Sequence, residues 1–196
     1  MKIVFATGNR HKLKEAREIF SIVEILSIAD FVSSFDPEEY GKTFLENAVI
    51  KAEAAIPYTG GLPVLSDDSG LIVPALGGAP GVHSARWGGV NGDHVRNRAK
   101  LREDLRTVTD RRGYFLCTAV ILFPDGRLIG ANGRVDGHLI LEERGTNGFG
   151  YDPMFIPDGH ERTLAEMTPA EKNALSHRGR AFRRLEEMLR CHALTA

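Results

Sequence analysis

Cysteine is scarce: Cys117 and Cys191 are the only two in 196 residues, far apart and outside any metal-ligand spacing. That excludes a disulfide framework and a thiolate zinc site. Long hydrophobic runs are missing as well. No stretch approaches the ~18–20 apolar residues that span a bilayer, and the opening MKIVFATGNRHK has too short an apolar run for a signal peptide, with charge directly behind it. A cytoplasmic protein is the expectation. Nor is charge of one sign in excess, since 25 Lys and Arg against 26 Asp and Glu leave a net −1. With no global positive field, a nucleic-acid partner is not expected, and phosphate binding must come from locally placed cations and backbone amides. Internal repeats and low-complexity linkers are also lacking.

What is present is ordinary for a globular chain, 42% hydrophobic and 26% charged, long enough for a substantial core. The length suits one large domain or two closely packed lobes. Lys2 to Ala6 is a short β-prone run closed by Thr7-Gly8-Asn9, and Leu13, Ala16, Arg17 and Phe20 follow at helical spacing. Strand, tight turn and helix open an α/β fold. Ile22 to Ile28 predicts a second strand, and Phe44, Ala48, Ala52 and Ala55 give Thr43 to Ile56 a helical face. Pro63–Leu65 and Leu71–Val73 are strand-like and flank the acidic segment Ser66 to Gly70, which is expected to be a turn. Gly77 to Gly92 predicts an irregular loop, and Asp93 to Leu105 a helix. Pro124-Asp125-Gly126 joins two β-prone runs, Tyr114–Phe123 and Arg127–Val135. Thr168-Pro169-Ala170-Glu171 is a capping box with proline at the first helical position, ahead of a stripe of Ala181, Leu185, Met188 and Leu189.

Five constellations can carry chemistry. Thr7 to Lys12 lies at a strand-to-helix junction, where unpaired amides and the helix dipole favour an anion that Lys12 could also reach. A plain Asn-capped turn is the bland alternative. The neighbouring carboxylates Asp67 and Asp68 attract a hard cation and could orient or deprotonate water. A turn would let both approach one site, although consecutive strand residues point to opposite faces. The glutamates Glu38, Glu39 and Glu46 form a third set. Gly41-Lys42-Thr43 imitates the end of a P-loop, but the required upstream glycine is Asp36, so that motif is rejected. Gly145 to Pro153 sets glycines beside Phe149, Tyr151 and Asp152, a possible slot for a flat base or a sugar. Lys172, Ser176, His177 and Arg178 offer clustered donors. Either Lys172 and Ser176 share one helix face, or Ser176 caps a second helix.

Taken together, ATGNRHK at 6–12, TFLENA at 43–48, SDDSGL at 66–71, GGAPGVHSARW at 77–87, GFGYDPMF at 148–155 and EKNALSHRGRA at 171–181 closely resemble the Ham1/RdgB family of inosine/xanthosine triphosphate pyrophosphatases. The resemblance implies a single ITPase-like domain of mixed α/β sheet with flanking helices, two lobes around a central cleft, and a homodimer. It implies hydrolysis of ITP, dITP and XTP to the monophosphate and pyrophosphate, cleansing the nucleotide pool, with Mg²⁺ as cofactor. Thr7, Gly8, Asn9 and Lys12 would hold the triphosphate, helped by Lys51 and Ser69. Asp68 would be the catalytic carboxylate and a Mg²⁺ partner, with Glu39, or its neighbour Glu38, as the second. Phe149, Gly150, Tyr151 and Asp152 would form the base and ribose slot, and Lys172, His177 and Arg178 would read the base. The glycine-rich stretch from Gly77 to Trp87 is expected to expose a contact patch for the dimer. Nothing is carried across between Trp87 and Gly113. The main rivals are a related pyrophosphatase with another triphosphate substrate and a non-catalytic nucleotide sensor. The Asp67-Asp68 pair beside a phosphate turn disfavours the sensor.

Overall fold

The computed structural model describes residues 1–193. In chain order the elements are β1 (Lys2–Phe5), α1 (Arg10–Ile19), β2 (Glu24–Ser27), α2 (Phe44–Ala55), β3 (Val64–Ile72), α3 (His94–Asp104), β4 (Arg112–Leu122), β5 (Leu128–Leu139), β6 (Phe155–Pro157), α4 (Pro169–Leu175) and α5 (His177–Ala193). One six-stranded sheet runs in the order β2-β1-β3-β4-β5-β6. It is mixed: β1 pairs parallel with β2 and β3, while β5 pairs antiparallel with β6. Among the described residues no helix is long and apolar enough to cross a membrane.

The chain divides into two compact units. Among the described residues the first comprises 1–68, 117–133 and 178–193, and the second comprises 69–116 and 134–177. In the first unit one core gathers Ile3 and Phe5 of β1, Ala16 of α1, Leu65 of β3, Cys117, Ala119 and Ile121 of β4, and Phe182, Leu185 and Leu189 of α5. Phe182 anchors it, edge-on to Phe5 at 5.8 Å and tilted against Phe20 at 5.3 Å. Burial of one such ring contributes about 1.5–3 kcal/mol. A second core sets Ala48, Ala52 and Ala55 of α2 against Val4, Val64 and Val120. Small side chains on α2 let its backbone lie close to β3, and that approach brings α2's polar residues to the strand.

In the second unit Leu101 of α3 and Leu105, which caps its end, pack with Phe115, Val135, Leu139, Tyr151, Phe155 and Met167. The glycine-rich stretch is more structured than its composition suggests. It forms a short 3-10 turn at Gly81–Arg86, with another just ahead of it at Pro74–Leu76. The Ser84 hydroxyl accepts from the Leu71 amide at 2.9 Å and donates to Gly81 O at 2.6 Å. Trp87 is half-buried and donates its indole N–H to Asp104 at 2.8 Å. Within the stretch His83 and Ala85 are exposed, Trp87 is half-buried and Ser84 is buried.

Candidate active site

The helix start is built as a cap. Asn9 has extended backbone, and its side-chain oxygen accepts from the amides of His11 at 2.9 Å and Lys12 at 3.2 Å. Thr7 Oγ1 accepts from the Asn9 amide at 3.1 Å. Two amides that the sequence leaves for an anion are thus taken by the cap. The helix dipole and the Lys12 ammonium remain as the attractive elements.

The largest departure from the sequence reading is at Ser66 to Gly70. This segment is not a turn between two strands but the middle of a single strand, β3, and nearly all of it is buried. Strand alternation then sends neighbouring carboxylates to opposite faces. Val64, Ser66 and Asp68 face α2: the Ser66 hydroxyl bonds to Ala48 O, and Asp68 accepts from Asn47 Nδ2 at 3.0 Å. Leu65 and Asp67 face the other way. Asp67 meets Lys12 at 3.1 Å and the Arg178 guanidinium at 3.1 Å, and Arg178 also pairs with Glu15 at 2.7 Å. Extended backbone is tolerable for two adjacent charges because each face supplies its own cations.

The two carboxyls respond oppositely. Burial would raise Asp67, but Lys12 and then Arg178 outweigh it and hold the group well below the ordinary carboxylate range. Burial raises Asp68 against the pull of Lys51 and Lys12, and Glu39 adds to the rise. Lys51 is buried too, which would lower its value. The charges of Asp68, Glu39 and Asp67 reverse that and keep it a cation. Asp67 is therefore a fixed anion, and Asp68 is the carboxylate poised to take a proton.

Around Asp68 the cluster extends through Lys51, whose ammonium lies 3.5 Å from Asp68 and 2.6 Å from Glu39. Asn47 links the same groups differently: its Oδ1 accepts from the Gly41 amide at 2.8 Å while its Nδ2 holds Asp68. A Cβ on Gly41 would stand 2.5 Å from Asn47 Oδ1, so only glycine permits this approach. Glu39 enters the cluster, Glu38 is exposed, and Glu46 is used by the α2 capping box with Thr43. The donor set suits a hard divalent cation: Asp68 and Glu39 offer carboxylate oxygen and already flank one positive charge. Among the described residues no group of three or more metal-binding side chains occurs. Two carboxylates are a donor number that Mg²⁺ accepts, since it completes its shell with water and phosphate oxygen.

The second unit holds the other predicted residues. Asp152 Oδ2 accepts from Lys172 Nζ at 2.6 Å and from the Phe149 amide at 2.8 Å. The same ammonium lies 4.7 Å from the centroid of the Phe149 ring. Gly148 has φ +74°, and a Cβ there would fall 2.2 Å from Asp152. Tyr151 is buried, and its hydroxyl donates to Ser84 O at 2.9 Å, so it anchors the loop from beneath. Burial pushes its phenol up, keeping it neutral. His177 stacks on Phe115 at 4.8 Å. Ser69 follows Asp68 in β3 as the first residue of this unit, half-buried. Ser176 sits between α4 and α5, ending the first of two helices rather than lying within one. Arg178, grouped in the sequence with Lys172 and His177, belongs to the first unit, where Asp67 and Glu15 bind it.

Sequence reasoning missed Glu15, Gly41 and Asn47. A signal existed for Asn47: it lies four residues before Lys51 in the buried stripe 44, 47, 48, 51, 52, 55 of α2, where polar side chains need a partner. Glu15 and Gly41 carry no comparable local mark.

Comparison with known proteins extends over the same residues. The model of the Ham1 family matches residues 3–188. The chain is similar to the dITP/XTP pyrophosphatase of Rhodospirillum centenum, 44% identical over 97% of this chain and 95% of that protein. It is also similar to that of Deinococcus deserti, 47% identical over 94% and 88%. Among solved structures, the Staphylococcus aureus Ham1 protein superposes with a TM-score of 0.87 at 38% identity, covering 98% of this chain and all of that one (100%).

Proposed function

The chain belongs to the Ham1 family, and from that premise we propose that it hydrolyses the off-type purine triphosphates ITP, dITP and XTP to the monophosphate and pyrophosphate. It is a hydrolase, a nucleoside-triphosphate diphosphatase. The observation that carries the mechanism is Asp68, buried, raised in pKa and set between Asn47 and Lys51.

Water attacks the α-phosphorus while Asp68 accepts its proton. The new bond joins water oxygen to phosphorus, and the bond to the bridging oxygen breaks to release pyrophosphate. Lys12 and Lys51, with Thr7, Gly8, Asn9 and Ser69, bind the triphosphate. Asp67 stays ionised throughout and holds Lys12 and Arg178 in place. Asp68 and Glu39 would hold Mg²⁺, which neutralises phosphate charge and the leaving pyrophosphate. In the second unit the Phe149 ring, Gly150, Tyr151 and Asp152 make the base and ribose slot, and Lys172 and His177 supply donors for the 6-oxo group; Arg178, of the first unit, is proposed as a further donor. We also propose that the chain is a single ITPase-like domain. We also propose a cytoplasmic homodimer; light scattering should give twice the 21.6 kDa chain mass, and a fully active monomer would rule it out.

Incubation of the protein with ITP and Mg²⁺ tests the assignment. IMP plus pyrophosphate is expected. IDP plus phosphate would move the attack to the γ-phosphorus.

A further inference from the structure

Helix α3 lies in the stretch between Trp87 and Gly113, where the family motifs say nothing, yet it reaches the segment assigned to the base. Two arginines four residues apart share one helix face and converge on Glu143. Arg98 Nε pairs with Glu143 at 2.9 Å, and its Nη1 donates to Gly150 O at 3.0 Å. Arg102 Nε donates to Leu141 O at 2.8 Å and its guanidinium pairs with Glu143 as well. The Arg98 side chain is only 15% exposed, against 42% for Arg102, so Arg98 is the arginine enclosed by the structure. One turn earlier, the His94 ring lies 6.0 Å from the Phe149 ring.

Phe149 stands between two glycines in left-handed conformation, Gly148 at φ +74° and Gly150 at φ +63°. Glycine reaches that region as readily as the ordinary one, so the backbone on both sides of the ring has many conformers to choose from. Asp152 restrains the Gly148 side through the Phe149 amide. On the Gly150 side, Arg98 takes the carbonyl. Its planar fork can hold a carboxylate and a carbonyl together, which a lysine ammonium on a flexible stem does less well.

We propose that Arg98 is a positioning residue for base selectivity, fixing the Phe149–Asp152 segment so that the Phe149 ring and the Lys172–Asp152 pair keep one geometry. This rests on the assignment of the base to Phe149 and Lys172. Recognition by aligned donors is lost over displacements of about half an ångström, so a looser segment should affect the choice among bases more than the phosphate chemistry.

The test compares kcat and KM for ITP and ATP, with thermal melting, in wild type, Arg98→Ala, Arg98→Lys and Lys172→Met. For Arg98→Ala, KM for ITP should rise roughly tenfold, the effect of one lost positioning contact, with kcat within a few-fold. The ITP-over-ATP ratio of kcat/KM should narrow by a similar factor. Arg98→Lys keeps a cation beside Glu143, so it should fold, and it should restore the ratio only in part. If folded Arg98 variants slow both nucleotides equally while Lys172→Met narrows the ratio, the inference falls and the base assignment stands. If neither Arg98→Ala nor Lys172→Met changes the ratio, the base assignment falls and takes the inference with it.

Discussion

Asp67 and Asp68 follow one another in β3 and shift in opposite directions: at Asp67 the charges of Lys12 and Arg178 overcome burial and hold it low, whereas at Asp68 burial outweighs the pull of Lys51 and Lys12 and raises it. Their amide variants should therefore fail differently. Asp68→Asn keeps size and loses basicity, so kcat should drop by roughly 10²-fold or more, the scale of general-base catalysis, with the melting temperature little changed. Asp67→Asn removes a partner of the buried Arg178 cation and should cost about 3–5 kcal/mol of stability, read by denaturant unfolding. Wild-type turnover in folded Asp68→Asn would exclude it as the proton acceptor.

Gly41 owes its role to closeness. Gly41→Ala forces a Cβ to 2.5 Å from Asn47 Oδ1, and either the amide or the segment carrying Glu39 must shift. Since Glu39 and Asp68 are the proposed Mg²⁺ ligands, the Mg²⁺ concentration for half-maximal activity should rise by roughly tenfold or more, the scale on which supporting contacts tune metal affinity. An unchanged Mg²⁺ titration would show that Glu39 does not hold the ion.

Selectivity should follow hydrogen-bond sense. Hypoxanthine and xanthine accept at the 6-position, whereas the adenine amino group donates and would leave protein donors unpaired. Such a site can discriminate by ~10⁴–10⁵-fold, so kcat/KM for ATP should be far below that for ITP and XTP. GTP shares the 6-oxo group and must be rejected at its 2-amino group. Arg178→Ala should lose ITP activity and narrow the ITP-over-ATP ratio, but it also strips a buried cation from Asp67 and Glu15. Lys172→Met takes the cation from one buried carboxylate, Asp152, rather than from two. ATP used within about tenfold of ITP would contradict recognition by donors.

Glu186 of α5 is a pH-dependent tie. Its carboxylate accepts from the Ser21 hydroxyl at 3.0 Å and the Ile22 amide at 2.9 Å. Burial opposes its ionisation, but the Ser21 and Ile22 amides and Arg190 outweigh that and lower its pKa. A lowered folded-state value adds stability above the ordinary 4.5 and loses it as pH falls through the folded value. Glu186→Gln should cost about 1–3 kcal/mol at pH 7, the worth of hydrogen bonds to a charged group. The gap to wild type should close on acidification. A gap that is the same at pH 3 and pH 7 would mean the charge contributes nothing.

Local pattern determined a good deal of this protein. The Asn9 cap, the capping boxes of Thr43 and Thr168, the Asp125-Gly126 turn and the apolar stripe of α5 depend on residues a few positions apart, so the sequence shows them directly. The six ordered motifs likewise named the residues that carry the proposed chemistry. What sequence could not supply was the partner of each charge. Ser66 to Gly70 has the composition of a turn, and only Lys12, Arg178 and Lys51, brought from α1, α5 and α2, make a buried strand of it. Arg98 has the look of a solvated helix residue until Glu143 and Gly150, 45 and 52 positions away, meet it. Propensity and capping act within a turn or two of chain. The cost of burying a charge is settled by whatever the fold sets beside it, and that only the tertiary structure decides.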